Sequence, residues 1–134
     1  MDQKGLDLFA DKQFDTVIMT QALQAVRRPD QMLDEMLRLG RQGIVTFPNF
    51  GYWRCRAYLS LKGKMPVSKT LPYNWYDTPN IHLCTFNDFE ELCRDKGIKI
   101  MNRRVVNSEF ETKQLALRWP NFFAELAIYR IVKA

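Results

Sequence analysis

Phe14-Asp15-Thr16-Val17-Ile18-Met19-Thr20 is short, β-branched and almost continuously apolar, and Gly43-Ile44-Val45-Thr46-Phe47 repeats the pattern further along. An unbroken apolar run of this length fits a strand buried on both faces, as in a parallel sheet, better than a half-exposed alternating strand. Between the two, Gln21–Arg28 forms a connection and Pro29-Asp30 starts a helix. Asp30 can accept from the unpaired backbone donors there, and its charge suits the positive helix end. Met32, Leu33, Met36 and Leu37 then fall on one helical face, Gly40 is the predicted stop, and Pro48 ends the second strand. Strand, helix and strand at this spacing make a βαβ unit, so the fold class is α/β.

Outward from that unit, Tyr52–Lys62 reads as helical and Gly63–Asn80 as a long connection punctuated by Pro66, Pro72 and Pro79. Long loops inside compact domains are usually functional or disordered. Tyr73, Trp75 and Tyr76 favour an ordered, packed loop. Thr85-Phe86-Asn87-Asp88 matches a capping box with Asp in the usual place of Glu. Phe86, Phe89, Leu92 and Cys93 supply the buried face of the following helix, which Gly97 closes. Ile98–Val106 and Ala124–Val132 are strand candidates, and Ser108–Pro120 between them has no clear assignment. The first strand needs neighbours on both sides, but only one is accounted for. As an edge it would be apolar and open, which predicts either a covering partner or more chain ahead of Met1.

At 134 residues the chain is one domain, and 46% hydrophobic with 26% charged residues is ordinary for a folded globular protein. No run is long and apolar enough for a membrane helix, and the first residues lack the pattern of a signal peptide. Three cysteines, an odd number in a chain of this size, suggest a reducing cytoplasm. The net charge is +5, and the window Gly51–Thr70 holds Arg54, Arg56, Lys62, Lys64 and Lys69 with no acidic residue. That window reads either as a solvated face or as a surface that attracts an anion, whether a phosphate or the acidic side of another protein. Nucleic-acid binding would rest on charge alone.

The six glycines include no G-x-G pair and no P-loop, so the chain has no self-contained nucleotide cradle. His82 is the single histidine, with Cys84 and Asp77 nearby. The spacing offers no tetrahedral metal set, so no metal is expected, and His82 is either a general base or a structural tie for the aromatic loop. Cys55 and Cys93 fall on apolar faces and read as core. Ser60, Ser68 and Ser108 lack the nucleophile-elbow context of a hydrolase. Ligands of open α/β sheets sit outside the carboxyl ends of the strands. This rule selects Thr20, Gln21 and Gln24 after the first strand and Asn49 after the second, with Tyr73, Trp75 and Tyr76 as lid.

The stretch F-D-T-V-I-M-T-Q-A-L-Q-A-V-R-R-P-D (Phe14 to Asp30) resembles the fourth strand and following loop of class I S-adenosylmethionine (SAM) methyltransferases. G-I-V-T-F-P-N-F-G-Y-W-R-C-R, K-M-P-V-S-K, L-P-Y-N-W-Y-D-T-P-N-I-H-L-C-T and Phe86-Asn87-Asp88-Phe89-Glu90 resemble the methionine-biosynthesis protein MetW family, over essentially the whole chain. The resemblance implies a Rossmann-like sheet ordered 3-2-1-4-5-7-6 with the last strand antiparallel. Residues 1–134 would then form one partial domain carrying strands 4, 5, 6 and 7. The glycine loop and ribose-binding acid of the cofactor half would precede Met1. It further implies methionine biosynthesis alongside a homoserine O-acyltransferase. The basic stretch, with Arg54, Arg56, Lys62 and Lys64, and the aromatic loop are the candidate contacts for that partner. SAM would belong to the full-length family and not be bound by this chain. The alternative is a SAM-dependent methyltransferase of a small molecule, with Thr20, Gln21 and Gln24 on the cofactor side, Asn49 toward substrate and His82 as catalytic base. A homodimer through the open strand edge is a further expectation, and a membrane partner is not expected.

Overall fold

A computed structural model describes residues 7–68, 71–107 and 118–134. The chain runs β1 (Phe14–Thr20), a 3-10 turn (Leu23–Ala25), α1 (Pro29–Leu39), β2 (Gly40–Pro48), α2 (Trp53–Lys62), α3 (Phe86–Asp95), β3 (Ile98–Val106), α4 (Pro120–Phe123) and β4 (Leu126–Lys133). The four strands form one sheet in the order β1-β2-β4-β3. β1 and β2 pair in parallel, with Val17 opposite Gly43 and Thr20 opposite Thr46. β4 runs antiparallel to both β2 and β3.

β2 starts three residues before its expected position, and the reason lies in Gly40. A Cβ there would stand 2.7 Å from Val17 Cγ2 on β1. Gly40 therefore ends α1 with extended backbone, φ −114°, and lets the two parallel strands close up immediately. α1 begins at Pro29, as expected. Asp30 does not cap it through the N-cap position, which is Arg28 and makes no side-chain cap. Instead Asp30 receives Arg28 Nη2 at 2.7 Å, a bond that draws its carboxyl down to about 2.

The expectation that β1 is buried on both faces is corrected. Ile18 is 64% exposed and Met19 is its single buried residue. β1 is the outer strand of the sheet, so its apolar run is covered on the α1 side only.

The core lies on one face of the sheet, where Gly43, Val45 and Phe47 of β2 meet both α1 and α3, and Lys96 at the end of α3 reaches Asp34 of α1 at 2.7 Å. Met32, Leu33, Met36 and Leu37 pack from α1, and Phe86, Phe89 and Cys93 from α3. At its centre Phe47 stacks on Tyr129, ring centroids 6.0 Å apart and planes 9° from parallel, while Phe89 approaches Tyr129 at 4.6 Å. The Tyr129 hydroxyl donates to Glu90 Oε1 at 2.8 Å, which satisfies the one polar atom of a ring that is otherwise fully enclosed. Burial, first, and that bond raise its pKa well above the tyrosine range.

The capping box of α3 forms as read. Asp88 N donates to Thr85 Oγ1 at 3.2 Å and Thr85 N donates to Asp88 Oδ2 at 3.0 Å. Thr85→Ala removes the cap, and the expected result is a loss of about 1 kcal/mol of unfolding free energy in urea denaturation. Gly97, at φ +67°, takes the left-handed turn after α3. The last strand starts two residues later than expected, because Pro120–Phe123 winds into a single turn, α4, ahead of it. Of the unassigned stretch, residues 108–117 lie outside the described residues.

Candidate functional site

The carboxyl ends of β1 and β2 open on one mouth. Thr20 is exposed there, opposite Thr46. Gln21 adopts φ +50°, in the left-handed region that a residue with a side chain rarely occupies. Its N–H donates to both Thr46 O (3.0 Å) and Thr46 Oγ1 (2.9 Å), and those bonds hold the turn. The Gln21 side chain then walls a cleft of 260 Å3 with Pro48, Tyr73, Pro79, Asn80 and Leu126. The structure thus brings Gln21 and Tyr73 together across the sheet mouth.

Gln24 turns inward and is 2% exposed. Its Nε2 donates to Pro48 O (3.2 Å) and Cys84 Sγ (3.4 Å), and its backbone carbonyl accepts the N–H groups of Ile81 and His82, both at 2.9 Å. His82 is exposed, and its Nε2 lies 3.1 Å from Arg27 O. A carbonyl only accepts, so this nitrogen carries the proton. Gln24 and His82 together latch the end of the aromatic loop onto the turn after β1, and neither lines the cleft.

Asn49 is 1% exposed. Its Nδ2 donates to Pro120 O, Asn121 O and Ala124 O at 3.3, 3.1 and 2.8 Å, and its Oδ1 accepts from Gly51 N at 3.0 Å. It clamps the end of β2 to the turn that feeds β4. Gly51 fits here for want of a side chain, since a Cβ would meet Asn121 O at 2.9 Å.

In the loop, Tyr73 and Trp75 border a small hollow of 50 Å3 with Phe50, Leu71 and Leu83. Tyr76 stands edge-on to Trp75, centroids 5.7 Å apart. Asn80, which the sequence did not single out, lines both this hollow and the mouth cleft. Its only sequence signal was its place at the end of the loop.

The four basic candidates do not make one patch. Arg54 and Arg56 are two residues apart on α2, about 200° around the helix. Arg54 lies over Trp53 at 5.3 Å, while Arg56 lies over Phe122 at 5.1 Å and donates to Gly51 O at 2.7 Å. Lys62 and Lys64 do meet, through Tyr58. Lys62 Nζ is 4.7 Å from that ring, and Lys64 shares an open groove with it.

Cys55 and Cys93 are buried, as read, and Cys84 is half-buried. Burial pushes the Cys84 thiol up to about 11, against the opposing bond from Gln24, and Cys93 up to about 12. At pH 8 both stay protonated and poorly nucleophilic. The expected result is slow alkylation of both in the folded chain and rapid alkylation in urea, read by mass spectrometry. Among the described residues no three His, Cys, Asp or Glu side chains are placed to hold a metal ion. No described helix is long and apolar enough to cross a membrane.

A parallel βαβ unit extended by an antiparallel pair, with its mouth at the strand ends, is a methyltransferase-like α/β architecture. A chain in the complex between the Haloferax volcanii Trm112 methyltransferase activator and a methyltransferase shares it, with a TM-score of 0.53 at 13% identity over 93% of this chain and 56% of that one. A small RNA methyltransferase, HEN1, is similar at TM-score 0.49 and 14% identity over 87% of this chain and 14% of its own, too loosely to add to the assignment. The chain belongs to the methionine biosynthesis protein MetW family, whose family model matches residues 1–131. It is 40% identical over 97 residues to a bifunctional methionine biosynthesis protein MetXA/MetW of Rhodopirellula baltica. The match covers 72% of this chain and 16% of that relative.

Proposed function

We propose that this chain serves methionine biosynthesis as a methyltransferase-fold accessory protein that acts with a homoserine O-acyltransferase. The observation that carries the reading is the fused relative, in which a MetW segment shares one polypeptide with MetXA. Two activities on one chain meet at high effective concentration, and the same two on separate chains need a binding surface to do so. The partner is therefore assigned as the acyltransferase corresponding to MetXA. The three free cysteines fit a reducing cytoplasm as its compartment.

The finer fold reading is that β1, β2, β4 and β3 correspond to strands 4, 5, 7 and 6 of a class I methyltransferase sheet. The order β1-β2-β4-β3 and the antiparallel β4 support it. On that reading residues 1–134 are one partial domain, and the open side of β1 is where strand one of the family's sheet would pair. A second copy of this chain is the competing occupant.

The mouth does not fit SAM. The cleft of 260 Å3 lies below the range of about 300–1,000 Å3 typical of small-molecule sites. None of its described lining residues is acidic, so none of them would hold a ribose diol as a carboxylate does in dinucleotide sites. Of the three residues expected on the cofactor side, Gln21 alone reaches the cleft, while Gln24 spends its amide hydrogens on Pro48 and Cys84. We therefore derive no methyl transfer for this chain.

The test is the rate of homoserine acylation by the acyltransferase with and without the chain. The expected result is a rate that rises and saturates as the chain is added. A rate unchanged at saturating chain would remove the proposed role.

A further inference from the structure

α2 stands apart from the main core. Only Cys55 of its ten residues is buried, whereas α1 buries five. Its own small cluster is Tyr52, Cys55 and Leu71, with Phe50 and Trp53 against it. Its exposed residues set two leucines, Leu59 and Leu61, among Arg54, Arg56, Ser60 and Lys62. Leu61 is 86% exposed, and Trp75 on the adjoining loop is 76% exposed. Tyr58, Lys64, Met65 and Trp75 line one open groove of 680 Å3, and Lys62 folds back over Tyr58. Leu61 follows Tyr58 by three residues, so it lies on the same side of the helix. The result is an apolar strip with ammonium groups along its rim and no acidic residue between Gly51 and Thr70.

We propose that this strip is the docking surface for the acyltransferase, and that it receives an apolar patch edged by Asp or Glu side chains. The proposal rests on the functional reading above. Exposed apolar strips of this kind on a folded protein mark interaction sites. A large aromatic such as Trp75, which shares the groove with Tyr58, supplies the anchor, since truncating an interface tryptophan commonly costs the most affinity. Lys62 and Lys64 at the rim govern association rate and the choice of an acidic partner. Arg56 lies off the strip, held by Gly51 and Phe122, whereas Arg54 precedes Tyr58 by four residues and adds a further cation on the strip's side of α2.

The experiment titrates the acyltransferase onto the full chain and onto three variants, Trp75→Ala, Lys62→Glu with Lys64→Glu, and Arg104→Glu on strand β3 as a charge-reversal control away from the strip. Leu61→Ser backs up the tryptophan variant, and circular dichroism with a melting curve checks each fold. The expected result is affinity weaker by about 30-fold for Trp75→Ala. Association should slow by about tenfold, with loss of its salt dependence, for the double lysine variant. Arg104→Glu should bind like the unmodified chain. Equal binding by all folded variants would overturn the surface and leave the functional reading standing. No binding by the unmodified chain would overturn both. Self-association that disappears in Trp75→Ala, without acyltransferase binding, would show a second copy as the occupant and overturn the proposal.

Discussion

Phe47→Ala lowers the unfolding free energy by about 4 kcal/mol, the largest loss expected from any single truncation here. Phe47 is wholly enclosed, stacked on Tyr129 and within 5.2 Å of Phe89, so removal leaves a void walled by three elements that cannot close independently. β2 is held on both sides by β1 and β4, and α3 is fixed by its capping box. Small domains are stable by about 5–15 kcal/mol, so this variant approaches the folding limit. Urea denaturation should show the midpoint falling by about 2 M at an m value near 2 kcal/mol/M. A fall equivalent to less than about 1 kcal/mol would mean that the ring is not at the centre of the core.

Asn49→Ala costs about 3 kcal/mol, a size out of proportion to the volume removed. The buried side chain supplies a donor to a trio of backbone carbonyls, the one from Ala124 fully enclosed, and an enclosed acceptor to Gly51 N. Asn49→Asp separates the two roles. It keeps the acceptor for Gly51 but aims a carboxylate at the carbonyls of Pro120, Asn121 and Ala124. Burial and those dipoles raise the pKa of the introduced carboxyl above its unfolded value, so the folded state holds the proton more tightly. Stability of that variant is therefore greatest below the unfolded pKa, near pH 4, and is lost as pH rises toward 8. Denaturation at the two pH values checks the sign. A variant more stable at pH 8 than at pH 4, relative to the unmodified chain, would contradict the clamp.

Asn49 also shows what the sequence conveyed and what it withheld. Its position after a parallel strand marked it as ligand-facing, because the strand-end rule speaks of backbone position and not of side-chain direction. The carbonyls that occupy its amide come from residues more than seventy positions away, around the short turn ahead of the last strand. By contrast, the α3 capping box and the apolar faces of α1 and α3 rest on neighbours three and four residues apart, and these were readable directly. β1 lies between the two cases. Its apolar run was read as doubly buried, and the strand does form with the expected parallel partner, but its outer side is uncovered and Ile18 faces outward. Polar residues near strand ends invite a chemical reading, which put Gln24 on the cofactor side, while the sequence left His82 between a general base and a structural tie for the aromatic loop. In the fold they pin the aromatic loop to the turn after β1. The basic window was visible as composition, yet helical geometry divides it, leaving Lys62 and Lys64 beside the apolar strip and sending Arg56 to the other side.

We infer that a methyltransferase-like sheet here serves a protein partner and not SAM. Isothermal titration of the same chain with each ligand in turn tests this most directly. The expected result is saturable heat with the homoserine O-acyltransferase and none with SAM. Tight, stoichiometric SAM binding with no heat from the acyltransferase would contradict it.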